Sequence, residues 1–429
     1  LGGIPVLDKM VTVGDGWGIM GKTGFFLTGS AYDSAAVVWF LFMMVFMDTT
    51  ATIPTGALAE RWSFKSFFIF SLFVGGFIYP IYGCWVWGGG WLAQLGMKAG
   101  LGHGAVDYAG SGVVHLQGGT IALITAVLLG PRIDKYDENG TPKPILGHNI
   151  PMVMLGTFIL AFGWFGFNAG SSLAGTDGRI GIIATNTMLA SASGAVATCL
   201  YMWTRYGKPD PSMMCNGMLA GLVAITAPCA FVTPLAAFLI GAVSGVLVVW
   251  SVFFWEKRGI DDPVGAISVH GVNGLWGLLA LGLLADGTYG AGFNGVHLIA
   301  KGAGGPFGWS EVHAVTDFSR LPEGFSEIGV TGLLYGNSRQ FVVQVIDGVT
   351  NIAWNLLAAG LIFYAIGKVL GSNRVPPEVE IAGLDIPEMG APGYPEYLTA
   401  LAPENVPSSQ IAEAKARIPQ VASAPPYGS

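Results

Sequence analysis

Apolar residues run through this chain in blocks long enough to cross a bilayer, separated by short polar turns that hold most of its charge. Nine such blocks can be read, near 34–58, 66–88, 111–131, 150–171, 181–204, 213–231, 233–255, 267–285 and 341–368. At 1.5 Å per residue, about twenty helical residues match the roughly 30 Å of a hydrocarbon core. The pattern therefore predicts an all-α, polytopic helical membrane protein, with an extracellular segment over 1–33, a transmembrane domain over 34–370 and a tail over 371–429.

Composition strengthens this picture. Of 429 residues, 52% are apolar and only 11% charged, about half the charged share of a soluble protein. The 65 glycines are expected where membrane helices pack backbone to backbone. Cys84, Cys199, Cys215 and Cys229 form no CxxC pair and read as small apolar packing residues, so neither zinc nor a disulfide framework is expected. No cofactor motif stands out. The net charge of -7 comes partly from the acidic tail and carries no nucleic-acid signature. The chain begins with Leu and has no basic stretch followed by an apolar one, so no signal peptide is visible.

Lys and Arg fix an expected orientation. Arg61 and Lys65, Arg132, Lys135 and Lys143, Arg205 and Lys208, Lys257 and Arg258, and Lys368 and Arg374 all fall on one side of the nine blocks. The opposite short loops hold only Lys98 and Arg179. By the positive-inside rule the N-terminus lies outside and the C-terminus in the cytoplasm. The Gly-rich stretch 286–340 is too polar to span and is expected to be a large extracellular loop. The tail mixes Pro, acidic and apolar residues and ends in "PQVASAPPYGS", a low-complexity stretch expected to be disordered.

Candidate chemistry sits inside the blocks. Asp107 precedes His115 by eight residues, and Asp262 precedes His270 by the same eight, on helices that run in opposite directions. That is the mark of an inverted repeat, whose site lies near the midplane. If each helix starts near its aspartate, each histidine lies about 12 Å in from its own surface, and the two can meet. A neutral imidazole bonded to a carbonyl or a Thr hydroxyl for packing alone is the structural alternative, but two mirrored ionisable residues at that depth favour a functional role. Neither helix supplies a further ligand at i+3 or i+4, which makes a metal site poor. An imidazole pair suits a proton relay, since each ring offers one donor and one acceptor. His103, His148, His297 and His313 read as ordinary surface residues.

Aromatic stripes lie above this pair. Trp164, Phe167 and Ser171 fall at i, i+3 and i+7, Phe42 and Phe46 at i and i+4, and Trp87 at the outer end of its block. Taken alone, such stripes more often mark packing or an interfacial belt than a site. An aromatic group beside a hydroxyl at the mouth can also hold a small cation, with phenylalanines below as an apolar constriction.

The motifs "GALAER", "WVWGGGWL", "DYAGSGVVH", "GWFGFNAGS", "NGMLAGLVAITA", "DDPVGAISVHGVNG" and "RVPPEVEIAGLD" occur together, in order. On these residues the chain resembles the ammonium transporters of the Amt/Mep/Rh family, and more closely the Amt branch, from about 34 to 398. The resemblance implies an ammonium recruitment site at Trp87, Phe46, Trp164 and Ser171, supported by Asp107. It implies a phenyl gate at Phe46 and Phe167, and twin pore histidines at His115 and His270. Tyr79 and Thr226 match further positions near the path. It also implies an eleven-span protomer with an inverted repeat, a homotrimer with one pore per protomer, and a PII-type signalling protein as a cytoplasmic partner. The family's first two spans are absent from this chain, and its outer loop carries an insertion at roughly 298–328. The expected function is transport of ammonium, deprotonated and passed as ammonia, with or without its proton. A sensor that binds ammonium and signals through its tail is the alternative, and a membrane enzyme is disfavoured for want of a nucleophile and base.

Overall fold

The computed structural model describes residues 9–302, 308–315, 321–394 and 406–417. The chain opens in a hairpin, β1 (Met10–Val13) and β2 (Trp17–Gly21). Helix α1 (Ser34–Ala57) follows, its first amides capped by the Asp33 carboxylate. The second span comprises α2 (Phe64–Phe73), a π-helical turn (Val74–Ile78) and α3 (Tyr79–Val86). Pro80 has no N–H to donate to the turn before it, and the helix widens there. A short helix, α4 (Trp91–Ala99), follows, and both it and α3 lie against the hairpin: Gly18 N–H donates to Gln94 Oε1 of α4 at 3.1 Å, and Trp85 Nε1 of α3 to the Ile19 carbonyl at 2.7 Å.

A π-helical segment (Ser111–Leu116) leads into α5 (Gln117–Leu129). Next come α6 (Ile150–Asn168), α7 (Arg179–Tyr206), α8 (Pro211–Ile225) and α9 (Pro234–Glu256). A second π-helical segment (Ile267–Val272) leads into α10 (Asn273–Leu284). Strands β3 (His297–Lys301), β4 (Glu311–Val315) and β5 (Phe325–Ile328) precede the long α11 (Ser338–Leu370). The tail adds α12 (Pro377–Ala382), α13 (Asp385–Met389) and α14 (Ser408–Arg417).

Among the described residues, eight helical stretches are long and apolar enough to cross a membrane, and α8 is the shorter ninth. The chain is a multi-pass helical membrane protein. Outward side chains such as Phe40, Leu41, Phe158, Phe162 and Leu361 are more than half or about half exposed, as lipid-facing positions are.

Three features depart from the sequence reading. Helix α8 stops at Ile225 rather than near 231, because Pro228 cannot continue it and residues 226–232 form buried turns. The loop over 286–340 holds a sheet that the sequence reading did not predict: β3 pairs antiparallel with both β4 and β5 over a small core of Val296, Leu298, Ala300 and Ile328. This sheet coincides with the stretch read as an insertion, although 303–307 and 316–320 lie outside the described residues. So does the terminal "PQVASAPPYGS". Finally, His103 is not a surface residue. It is fully buried, with neither ring nitrogen partnered among the described residues, and burial, with His297 nearby, pushes its imidazole down to about 4.

At the end opposite the hairpin, charges tie the tail to the helix ends. Arg132 grips Asp261 through Nε at 2.8 Å and Nη2 at 3.0 Å, and also pairs with Glu60. Arg61, wholly buried, donates to the carbonyls of Gly130, Ala59 and Asp261. Glu380 of α12 accepts from Ile133 N–H and from Arg374, each at 2.8 Å. Burial raises the Asp261 carboxyl, but the Arg132 hydrogen bonds and the Arg61 and Arg132 charges outweigh it and hold the group below its ordinary value. A carboxyl depressed in the folded state adds stability above its unfolded value of about 4 and loses it as pH falls through the folded value. Wild-type melting temperature should therefore fall with acidification below about pH 4, beyond the fall seen for Asp261→Asn. At neutral pH that substitution should cost about 3 kcal/mol, since it removes the one carboxylate charge shared by buried Arg61 and part-buried Arg132. Thermal melts of purified protein across pH check both.

Candidate functional site: a mouth cavity above a histidine pair

The two π-helical segments carry the two histidines. Each begins under an aspartate: Asp107 accepts four backbone N–H groups, from Gly110 and Ser111 at 2.9 Å on one oxygen and from Gly112 and Val113 at 2.8 and 2.9 Å on the other. Asp262 does the same more sparingly, accepting from Ala266 at 3.0 Å and Ile267 at 2.7 Å. The first turn of α5 crosses the second segment where Gly119 faces Gly271, so closely that a Cβ on Gly119 would run into the Gly271 backbone. Gly274 faces Leu116, and Gly277 faces Ser111. As one chain ascends the other descends, so the pair is antiparallel.

His115 and His270 meet beside this crossing. Their Nδ1 atoms are 3.1 Å apart and their rings stack at 5.2 Å. One Nδ1 must donate and the other accept, so the two neutral rings hold opposite tautomers. His115 is fully buried with Nε2 unpartnered among the described residues, and His270 is half-buried.

Aromatic rings continue the line upward. The Phe167 ring stacks on His115 at 5.3 Å, Phe46 lies 4.5 Å from Phe167, and Trp87 meets Phe46 edge-on at 5.7 Å. Above Phe46 a cavity of about 660 Å³ opens between α1, α4 and the loops, with Phe42, Phe46, Trp87, Asp107, Tyr108 and Ser171 among its walls. Trp87 is fixed there by donating Nε1–H to the Asp107 carbonyl at 2.6 Å. Ser171 donates its hydroxyl proton to the Phe167 carbonyl at 2.7 Å, which leaves the oxygen's lone pairs as acceptors for an N–H cation.

The structure thus brings Trp87, Phe46, Ser171 and Asp107 to one cavity, with Phe167, His115 and His270 in file beneath it. Trp164 lies deeper than the mouth. It stacks on His115 at 5.3 Å and donates Nε1–H to Thr226 Oγ1 at 2.9 Å, so Thr226 orients an indole against the pair. Asp107 does not offer a free carboxylate, since N–H groups occupy all its acceptor directions; it contributes charge and holds Trp87. Tyr79 is buried with its hydroxyl unpartnered among the described residues, and it is not part of the cavity wall.

Sequence reasoning missed both π-helical segments, which leave no simple periodic trace, and the Tyr108–Ser172 hydroxyl contact of 2.9 Å at the cavity edge. It also passed over Asp347, a lone acid in the apolar run of α11, which its position alone could have flagged.

Comparison with known proteins is consistent across the chain. The family model described as Ammonium Transporter Family matches residues 10–394. Ammonium transporter Amt2 of Archaeoglobus fulgidus is 48% identical over 90% of this chain and 76% of its own length. Ammonium transporter Amt1 of Methanocaldococcus jannaschii is 42% identical over 86% of this chain and 80% of its own. A solved structure titled Sensor Amt Protein superposes with a TM-score of 0.72 at 34% identity, covering 90% of this chain and 85% of that one.

The Asp107 geometry yields a stability test. Asp107→Ala strands four buried N–H groups, each costing about 1 to 3 kcal/mol, and should abolish or severely lower the yield of folded protein. Asp107→Asn keeps one accepting oxygen but turns an NH2 toward two donors, and should melt between that variant and the wild type. Thermal melts in detergent check the order.

Proposed function

Because the chain belongs to the ammonium transporter family, whose named members are channels and not enzymes, we propose that it recruits ammonium at the mouth cavity, removes its proton and conducts ammonia past His115 and His270. The observation that carries this reading is the unbroken file Trp87, Phe46, Phe167, His115, His270. A ring face is worth about 0.5 to 2 kcal/mol to a cation, and the Ser171 oxygen adds a directed acceptor. Trp164 acts from beneath, as the wall on which His115 is stacked.

Below the mouth the balance reverses. A bare cation in an apolar passage costs several kcal/mol or more, whereas neutral ammonia does not carry that charge past the Phe46–Phe167 constriction. The shared Nδ1 contact lets the imidazole pair accept a proton on one ring and release one from the other, so the proton can follow the ammonia. Tyr79 and Thr226 serve the path indirectly, Thr226 by aiming Trp164.

The protein functions in the cell membrane with the hairpin end outside and the tail in the cytoplasm, as the clustered basic loops favour. It works as a homotrimer with one pore per protomer, and its tail and basic loops receive a PII-type signalling protein. Ammonium-induced current in proteoliposomes tests the core of the reading: robust current is expected, and loss of it when both histidines are replaced. For the partner, retention of a PII-type protein on full-length protein but not after deletion of 371–398 is expected in a pull-down, and equal retention would reject the tail's role.

One finding favours a second reading. The structural neighbour at 34% identity is titled a sensor, so the same cavity could serve ammonium sensing with output through the tail. Tight ammonium binding without flux in the same proteoliposomes would select it.

A further inference from the structure

Helix α11 carries five buried polar residues on one face: Gln340, Gln344, Asp347, Asn351 and Asn355, all with no exposed surface. Four are amides. Gln340 and Gln344 bond the loop at 103–106, Asn351 Nδ2 donates to the Gly112 carbonyl at 2.9 Å, and Asn355 bonds Asn351. Asp347 is different. It is an acid about 14 Å along the helix from Ser338, and among the described residues no cation pairs with it. Its Oδ1 accepts the Tyr82 hydroxyl at short range, and its Oδ2 has no partner among the described residues. An ionisable group in that position is costly to retain and points to a role.

The partners define that role. Tyr82 stands on α3, five residues before Trp87. Asp347 and Asn351 lie one turn apart on the same buried face of α11. Asn351 holds the Gly112 carbonyl, Gly112 N–H holds Asp107 Oδ2, and the Asp107 carbonyl holds the Trp87 indole. These links close a ring that leaves α3 at Tyr82 and returns to its end at Trp87. Asp347 pins Tyr82 of α3 to α11, and Asn351, one turn along, pins the Asp107 turn to the same face.

We propose that Asp347, by fixing Tyr82 of α3 against the α11 face that carries Asn351, is a positioning residue for the cation-binding mouth: it braces α3 against the Asp107 turn and, with it, the Trp87 ring. The proposal rests on the transport reading for its kinetic consequence, but the brace itself does not. The brace sets the affinity of the mouth and leaves passage below Phe46 untouched.

The test compares Tyr82→Phe, Asp347→Leu and Asp347→Asn with wild type in proteoliposomes and by hydrogen exchange of the 107–116 amides. Tyr82→Phe and Asp347→Leu should raise the half-saturating ammonium concentration about tenfold, the scale of one buried hydrogen bond, with maximal current within about twofold of wild type. Both should speed exchange at 110–113. Asp347→Asn, which keeps an accepting oxygen for Tyr82, should restore both readouts to near wild type. Unchanged half-saturation and exchange in Tyr82→Phe would overturn the proposal, as would equal damage from Asp347→Asn and Asp347→Leu, or a fall in maximal current at unchanged half-saturation. If Asp347→Leu does not fold, Tyr82→Phe, which removes one oxygen, decides. If wild type carries no current, the transport reading fails while the exchange measurement still reads the brace.

Discussion

The structure depends on two helices being allowed to touch backbone to backbone. At the Gly119–Gly271 crossing a side chain on Gly119 would force α5 away from the His270 segment, and with it would open the 3.1 Å contact between His115 and His270. Everything above the crossing is stacked on that contact: Phe167 and Trp164 lie on the His115 ring, Phe46 on Phe167, Trp87 on Phe46. Dispersion and ring packing fall steeply over fractions of an ångström. A small displacement at the crossing would therefore propagate to the mouth.

The two ends of the molecule solve different problems. At the hairpin end, polarity is presented without a free charge, because the Asp107 carboxylate is spent on four N–H groups and the cavity is faced by aromatic rings, hydroxyls and the amides of Gln94 and Asn294. Such a site can attract a cation without holding it as a salt bridge would. At the tail end, charge is used for mechanical closure, with Arg61, Arg132 and Arg374 binding Asp261, Glu60 and Glu380 across loops distant in sequence. Asp261 adjoins Asp262, which caps the His270 segment, so the tail cluster also fixes the lower helix of the crossing.

Much of this was legible in the chain, for physical reasons. Spans announce themselves because lipid demands about twenty apolar residues, and the equal Asp-to-His spacings expose the mirrored caps because each aspartate must reach the first amides of its helix. The file of aromatic residues followed from helical spacing and from the family resemblance. What escaped depends on tertiary closure. A π-helical turn needs one extra residue per turn and has no compositional sign. His103 looks like a loop residue until the loop is folded under α11 and Asn294. The strands in the outer loop are short and Gly-bounded. Trp164 shared a face with Ser171 in the sequence, yet its indole is drawn down to Thr226 and the histidine, since a buried N–H must find an acceptor.

On the proposed function, the passage below Phe46 admits ammonia because ammonium can surrender a proton, not because a cation of that size fits. Potassium has a similar ionic radius and no proton to release. In proteoliposomes that give a robust ammonium current, the account expects no potassium current above protein-free vesicles under an equal gradient. A potassium current comparable to that of ammonium would contradict it.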